Sequence, residues 1–337
     1  ENTDVDKRTI GISQSIDWGG KRSARTAVAE SKRLAVEAEY LQIRRAVTLE
    51  LLSGLAQHHT TVERNALAEE RERLMDEFAA LARHRFEAGD LNQVEFDLAA
   101  LAFANAKMKK ATAAVDLAEA RQIVRNIAPN SKPADWPTLA DRVPEAPNAA
   151  IDLMALVMTL PEVQAAYHRV GTANKVIELR KREQRSDPTI NLVGGKDGDE
   201  TLIGLSLSIP LPIRNRYTHE VAAAAAESRR VEQVADDILH RAHARLISAA
   251  ERYQLSQGAW RDWERTGRVS LNRLREQLGR LWEAGEISTA DYLVQLRQTV
   301  DVQESALHLR QSLWRAWFEW LAASGRVDEW LGLGAAQ

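Results

Sequence analysis

The sequence predicts a mainly α-helical protein with amphipathic β-strands, built as two repeats of a strand, a long helix and a return helix. The first observation is a pair of alternating stretches, IGISQSIDW from Ile10 and IGLSLSIPL from Ile203, at an offset of 193 (203 minus 10). Apolar residues at every second position predict strands with one apolar face and one small, polar face. We therefore expect strands at 9–18 and 202–211.

The second observation is that each strand leads into a very long helical pattern, at 20–88 and at 216–284. Such a helix is about 100 Å long at about 1.5 Å per residue. Apolar residues recur every seven positions, which predicts coiled-coil-like packing. The heptad positions are Leu34, Leu41, Thr48, Leu55, Val62, Leu67, Leu74 and Leu81 in the first helix, and Leu239, Leu246, Tyr253, Trp260, Gly267, Leu274 and Leu281 in the second, where Ala242, Ala249, Ser256 and Trp263 form a parallel track.

The third observation is a repeated turn between helices. FEAGDLNQVEF from Phe86 matches WEAGEISTADY from Trp282 at an offset of 196 (282 minus 86). We expect a C′ glycine to end each long helix and a cap pair to begin each return helix, which runs to about residue 127 or 323. The glycines are Gly89 and Gly285, and the cap pairs are Asn92 with Glu95 and Ser288 with Asp291.

The repeats define the domain organisation. Residues 1–128 form the first repeat, 129–150 a linker, 151–325 the second repeat and 326–337 a C-terminal tail. Five of the nine prolines lie in the linker, which excludes a continuous helix across it. The second repeat is expected to open with helices at 151–160 and 161–185, a strand at 189–193 and a hairpin loop at 194–200.

Composition and motifs exclude several classes of protein. The net charge of −3 and the charged fraction of 28 % give no indication of a nucleic-acid partner. The chain has no cysteine, which excludes disulfides and thiolate metal sites, and no run of 18 apolar residues that would predict a transmembrane helix. His240 and His243 lack a third ligand, and no phosphate loop, nucleophile elbow or HExxH motif occurs. We expect no catalytic residue, no metal site and no cofactor.

These features together resemble the TolC family of outer membrane efflux channels. The WGGKRSAR turn from Trp18 and the PLPIRNR turn from Pro210 are most similar to its heavy-metal branch, the CzcC type. The resemblance covers nearly the whole chain, and we expect the family's first helix pair and first strand to lie upstream of Glu1.

The resemblance implies a trimeric α-helical tunnel in the periplasm and a shared transmembrane β-barrel in the outer membrane of a Gram-negative cell. It implies the channel component of a tripartite efflux system that exports heavy-metal cations without catalysis. The implied partners are two further copies of the chain in a homotrimer, a periplasmic adaptor (membrane fusion protein), an inner-membrane RND-type pump and outer membrane lipid.

The residues themselves are compatible with this fold. Strands with an apolar face and a Gly/Ser face suit a barrel wall between lipid and water, and Trp18 at a strand end suits the interfacial aromatic belt. A few strands with open edges cannot span lipid alone, so the barrel would be shared between chains. A small soluble sheet that caps a helix bundle is the alternative interpretation.

Two sets of site residues follow from the resemblance. Asp291 and its repeat equivalent Glu95 would line the periplasmic entrance and form its gate, although helix capping alone also explains both carboxylates. The family carries a second acid three residues later, where this chain has Val294 and Leu98. The adaptor would dock at the two turns, which a plain helix stop also explains; they comprise Gly89, Asp90 and Leu91, and Gly285, Glu286 and Ile287.

Two other functions stay open from the sequence. A periplasmic adaptor also uses long helical hairpins, but it should carry a glycine-rich lipoyl-like β segment and a single hairpin. A soluble coiled-coil scaffold would not need an alternating strand before each long helix.

Overall fold

The structure of the chain is a computed structural model that describes residues 7–140, 144–145, 152–197, 200–211 and 215–333. The chain divides into two compact units. Unit 1 is made of Glu1–Gln42 and Val157–Ala242, and unit 2 of Ile43–Leu156 and His243–Gln337. Each unit contains part of both sequence repeats.

The predicted order of elements occurs in both repeats. Each has a strand, a long helical stretch, a glycine turn and a shorter return helix. In chain order the elements are β1 (Lys7–Ser15), α1 (Lys21–Glu87), α2 (Gln93–Ile127), a 3₁₀ turn (Pro133–Asp135), α3 (Leu153–Met158), α4 (Pro161–Glu183), β2 (Thr189–Asp197), β3 (Glu200–Ser208), α5 (Thr218–Asp262), a π-helical segment (Trp263–Gly267), α6 (Arg268–Glu283), α7 (Thr289–Ser324) and α8 (Val327–Trp330).

The three strands of unit 1 form one antiparallel sheet in the order β1-β2-β3. β1 ends earlier than predicted, because the chain turns at Gly19 and Gly20, both with positive φ. The predicted hairpin loop at 194–200 is wrong, since β2 continues to Asp197. Gly195 is part of this strand, and a Cβ there would lie only 2.3 Å from the carbonyl oxygen of Arg8 on β1. Residues 198–199, and 212–214 of the PLPIRNR turn, lie outside the described residues.

One face of the sheet is apolar and exposed. Ile12, Leu192 and Leu205 are aligned across the three strands, with exposed fractions of 70 %, 49 % and 76 %. Large aliphatic side chains are normally buried, so this face lacks the cover that a soluble sheet requires.

The opposite face of the sheet carries small polar residues that bond across the strands. The Ser13 hydroxyl donates to Oδ1 of Asn191 at 2.5 Å, and Nδ2 of Asn191 donates to Oγ of Ser206 at 3.3 Å. These three residues are aligned in the strand register. The alternation read from the sequence therefore separates an apolar face from a hydrogen-bonded polar face.

The second long helix is not the single helix predicted at 216–284. A π-helical segment separates α5 from α6, and it moves the apolar seam by one position. Leu246 and Tyr253 are buried before it, as the heptad predicts. After it the heptad predicts Leu281, but its neighbour Trp282 is the buried residue. The i→i+5 bonding of a π-helix places one more residue in a turn than an α-helix does.

The heptad of α1 is only partly correct. Leu55 and Leu67 are buried as predicted, whereas Leu34, Leu41 and Val62 are 36 %, 37 % and 41 % exposed. Several buried positions of α1 are alanines, which allow neighbouring backbones to approach closely; they include Ala24, Ala35, Ala38, Ala56 and Ala82. No helix of the described ranges has both the length and the apolar character needed to cross a bilayer.

The predicted C-terminal tail contains the short helix α8, which packs within unit 2. Val327 is fully buried, and the Asp328 carboxylate pairs with Arg44 at 3.0 Å and Arg45 at 3.1 Å. Residues 334–337 lie outside the described residues.

Candidate functional site

The turn after α1 is a helix end closed by backbone hydrogen bonds. The Gly89 N–H donates to the carbonyl of Phe86 at 3.0 Å, and the Asp90 N–H donates to the carbonyl of Arg85 at 2.8 Å. Gly89 has φ of 83°. This pair of bonds and the left-handed glycine define a Schellman motif.

The turn after α6 has the same backbone. The Gly285 N–H donates to the carbonyl of Trp282 at 3.0 Å, and the Glu286 N–H donates to the carbonyl of Leu281 at 2.9 Å. Gly285 has φ of 74°. The expected helix stops are thus confirmed at both turns.

The first return helix begins with a reciprocal capping box. Oδ1 of Asn92 accepts from the Glu95 N–H at 3.0 Å, and Oε2 of Glu95 accepts from the Asn92 N–H at 3.2 Å. The Glu95 carboxylate is half-buried and satisfies a backbone donor at the helix start. The capping role predicted for this residue is therefore confirmed.

The second return helix begins with a related but different cap. Oγ of Ser288 accepts from the Asp291 N–H at 3.1 Å, while the Ser288 hydroxyl donates to Oδ2 of Asp291 at 2.7 Å. Asp291 is exposed, and its carboxylate holds the capping hydroxyl rather than a backbone N–H.

An aromatic cluster brings the ends of the two hairpins together inside unit 2. The rings of Phe78 and Trp282 lie 4.5 Å apart, and the Tyr292 ring lies 5.2 Å from each of them. Burial raises the pKa of the Tyr292 phenol. Around these rings lie Met75, Ala82, Ala99, Ala106 and Leu296 as buried neighbours.

Arg85 joins the two turns directly. Its guanidinium lies over the Trp282 ring at 4.8 Å from the ring centroid, and its Nη2 donates to the carbonyl of Glu283 at 3.2 Å. Arg85 is not among the residues that the sequence pattern predicts for the site. Arg85 directly precedes the FEAG motif, which is the one feature of the sequence that draws attention to it. That position does not indicate which aromatic ring the guanidinium contacts.

The predicted docking residues differ in their exposure. The side chains of Asp90 and Glu286 are exposed. Leu91 and Ile287 are half-buried and pack against the aromatic cluster. Each turn therefore presents one acidic side chain outward and anchors itself with the following aliphatic residue.

The surroundings of the predicted gate are more apolar than acidic. Val94, beside Glu95, is 67 % exposed, and Leu98 is 38 % exposed. Val294, in the second turn of α7, is also 67 % exposed. Ion pairs join helices elsewhere in the same unit, with Arg275 and Glu70 at 2.6 Å and Lys110 and Glu72 at 2.5 Å.

Trp18 lies in unit 1, just after β1, with 60 % of its surface exposed. Its backbone N–H donates to Oδ1 of Asp187 at 3.1 Å, and Nζ of Lys21 donates to Oδ2 of the same carboxylate at 2.8 Å. The hydrogen bond from Lys21 lowers the pKa of the Asp187 carboxyl. Among the described residues, no group of three or more His, Asp or Glu side chains could hold a metal ion.

The described residues thus combine an amphipathic sheet that has an exposed apolar face with two packed helical hairpins. Residues 1–128 match the family described as outer membrane efflux protein, in agreement with the predicted resemblance. The cobalt-zinc-cadmium resistance protein CzcC of Cupriavidus metallidurans is 25 % identical over 228 residues, which cover 66 % of this chain and 54 % of CzcC. The chain thus spans about half the length of that relative.

Solved structures show the same fold. The CmeC outer membrane channel of Campylobacter jejuni has a TM-score of 0.79 at 14 % identity, over 95 % of this chain and 71 % of that one. The MtrE outer membrane channel of Neisseria gonorrhoeae, in its open state, has a TM-score of 0.78 at 15 % identity, over 95 % of this chain and 79 % of that one. The predicted fold class is confirmed, and neither the adaptor nor the scaffold interpretation is favoured.

Proposed function

We propose that this chain acts as the outer membrane channel of a tripartite efflux system and that it exports heavy-metal cations without catalysis. The observation that carries the proposal is the exposed apolar face of the sheet, in a chain whose residues 1–128 match the outer membrane efflux family. A soluble protein would bury such a face, whereas a barrel wall turns it toward lipid.

The sheet also supports assembly with further copies of the chain. β1 and β3 are the two edges of the sheet in the described residues. Unpaired backbone groups at an edge are costly in lipid, so a membrane-spanning sheet must close on other strands. A homotrimer that shares one barrel satisfies both edges.

The identity of the exported ion rests on the relative named for cobalt, zinc and cadmium resistance. A conduit does not need a tight metal site. Acidic side chains at an entrance attract cations through the local field, without the ligand number that tight binding requires. Asp291 and Glu95 are the carboxylates that we assign to this entrance.

The turns supply the surface for a periplasmic adaptor, and an inner-membrane pump would complete the system. Asp90 and Glu286 are exposed on turns of identical backbone, so one adaptor surface could bind both. The test is site-specific photocrosslinking from these two positions in cells that carry the complete efflux system. We expect crosslinks to the adaptor from both positions and none from the exposed mid-helix residue Met108. Crosslinks from Met108 alone would show that docking at the turns is wrong.

The entrance role is tested by conductance. Asp291→Asn removes the negative charge but keeps an oxygen that can accept a hydrogen bond from Ser288. Because the charge is lost, single-channel conductance should change and block by divalent cations should weaken. Ser288→Ala is the matched control, because it removes the cap and keeps the carboxylate. If Asp291→Asn leaves conductance and block unchanged, only the capping role of Asp291 remains.

A further inference from the structure

We propose that an arginine cluster at the foot of the sheet binds the phosphates of anionic phospholipids. The cluster consists of Arg22, Arg182 and Arg185. It lies in unit 1, beside the turn in which β1 passes into α1. The inference rests on the proposed insertion of the sheet into the outer membrane, and it adds a lipid-headgroup site to it.

The turn itself positions two of these arginines. Nη1 of Arg182 donates to the carbonyl of Gly20 at 2.7 Å. A Cβ on Gly19 would lie 2.9 Å from Cδ of Arg185, so the Arg185 side chain lies directly against the turn. Arg22 follows two residues after Gly20 and is exposed. Two glycines with positive φ thus make room for two arginine side chains.

The cluster carries an excess of positive charge. In the described part of the chain, Arg22 and Arg185 form no ion pair with a carboxylate, whereas Arg182 bonds to the Gly20 carbonyl and interacts with Glu178. The neighbouring cations each form an ion pair: Lys21 with Asp187, Arg25 with Asp17 and Arg180 with Glu183. Arg22 and Arg185 therefore remain available for an anion that the chain does not supply.

A polar cavity of about 450 Å³ opens at the same place. Arg185 and Lys21 line it, together with Glu183 and Asp187, whose charges are already paired within the protein. The pairing leaves Arg185 as the cation that can act on a bound group. The volume suits a headgroup, and guanidinium groups bind phosphate oxygens in a bidentate manner.

The occupant follows from what adjoins the cluster. Trp18, 60 % exposed, follows β1 in the chain and precedes the Gly19–Gly20 turn. The apolar strand, the aromatic residue and Arg22 occur in that order along the chain, and Arg182 and Arg185 lie against the turn between Trp18 and Arg22. This order matches acyl chains, the interface and an anionic headgroup, so we assign the cluster to anionic phospholipid rather than to free phosphate.

Trp18 makes the proposal measurable in the full-length protein. It is the one tryptophan of unit 1, since the other eight lie in unit 2. Brominated phosphatidylglycerol and brominated phosphatidylcholine quench tryptophan emission on contact. Subtracting the quenching of Trp18→Phe isolates the signal at this site. We expect brominated phosphatidylglycerol to quench Trp18 more strongly than brominated phosphatidylcholine. The double variant Arg22→Gln/Arg185→Gln should lower this preference by about fivefold for each charge removed, because a cation at an anionic surface contributes about 1 kcal/mol.

Two control variants separate charge from folding. Arg22→Lys/Arg185→Lys keeps both charges and should keep most of the preference. Arg229→Gln removes one exposed arginine from α5 in the same unit and should leave the preference unchanged. Because Arg182 bonds to the backbone, it is left intact in these variants.

Each outcome decides the proposal. An equal response to both lipids, or an equal loss in Arg229→Gln, would overturn it. If inorganic phosphate at about 10 mM abolishes the preference, the cluster binds free phosphate rather than lipid. Loss of trimers in the double variant would assign the arginines to another copy of the chain. If neither brominated lipid quenches Trp18, the sheet does not contact lipid, and the proposed membrane insertion fails as well.

Discussion

The two hairpin ends of unit 2 have the same backbone conformation but differ in how deeply their side chains are buried. At the first end Phe86 is half-buried and stacks on Phe96, with ring centroids 5.1 Å apart. At the second end its repeat equivalent Trp282 is 4 % exposed and contacts both Phe78 and Tyr292. The repeat thus reproduces the turn, while the neighbouring helices decide which end supplies the core of the unit.

The largest expected difference between the two ends is the effect of removing these aromatic rings. Trp282→Ala should lower the free energy of unfolding by about 3–5 kcal/mol because it leaves a cavity in the aromatic cluster. Phe86→Ala should cost less than half as much, because its ring is already partly hydrated. Denaturant unfolding followed by circular dichroism measures both. Trp282→Phe, which installs the residue of the first repeat, is the milder control, and equal losses at the two ends would contradict the comparison.

The next effect concerns the π-helical segment, which only the second repeat contains among the described residues. A Cβ on Gly267 would lie 2.1 Å from Cε3 of Trp263, so Gly267→Ala must displace that ring. We expect a destabilisation of about 1–3 kcal/mol, typical of overpacking.

The helical glycine Gly279 provides the control for this variant. A Cβ there meets no atom within 4 Å, so Gly279→Ala should stabilise the protein by about 0.5–1 kcal/mol. If both alanine variants stabilise the protein, the packing of Trp263 against Gly267 has no energetic role. The measurement is a thermal unfolding series under identical buffer conditions.

The two turn glycines should respond equally, in contrast to the aromatic residues. Gly89 and Gly285 both have positive φ, and a Cβ on either meets no atom within 4 Å. Gly89→Ala and Gly285→Ala should therefore each cost about 1–2 kcal/mol, from backbone conformation alone. Unequal losses would show that the turns differ in their surroundings as well. Gly285→Val should displace Glu286 and reduce its crosslinking to the adaptor.

The N-caps of the two return helices should differ only slightly in their contribution to stability. Asn92→Ala and Ser288→Ala should each cost about 1 kcal/mol, because each removes the acceptor for an N3 backbone N–H. Glu95→Ala should cost more than Asp291→Ala, since only Glu95 bonds a backbone N–H of its N-cap residue. Helix content and unfolding midpoints measure the difference. A larger loss in Asp291→Ala would contradict this order.

The smallest effect is a pH dependence that belongs to the first repeat. His58 packs edge-on against Trp136 at 4.8 Å, and burial, with a contribution from Arg121, lowers its pKa below the ordinary value of 6.5. The folded state therefore favours the neutral ring, so this contribution to stability is present above pH 6.5 and is lost as pH falls below it. His58→Gln should flatten the stability profile as pH falls below about 6.5. His308, whose pKa is also lowered by burial, contributes in the same direction. If the double variant His58→Gln/His308→Gln has the same stability profile as the unmodified protein, neither histidine contributes.

Much of the candidate site was readable from local sequence. The FEAG and WEAG motifs predicted two glycine stops, and Asn92 with Glu95 predicted a capping box, because these structures depend on a few consecutive residues. The contact of Arg85 with Trp282 was not predictable, since 197 residues separate them (282 minus 85). The burial of Leu91 and Ile287 likewise depends on helices that meet only in the folded unit.

The sequence by itself determined the alternating faces of the strands, the order of elements in both repeats and the positions of the turns. These features follow from periodicity and from the conformational preferences of glycine and capping residues, which act over one or two turns of chain. Only the tertiary structure decided the one-residue phase shift after Trp263–Gly267, the longer β2 and the helix α8 within the predicted tail. The longer β2 depends on contacts between distant segments, such as Gly195 with Arg8, and α8 on the ion pairs of Asp328 with Arg44 and Arg45. Such contacts override local preference.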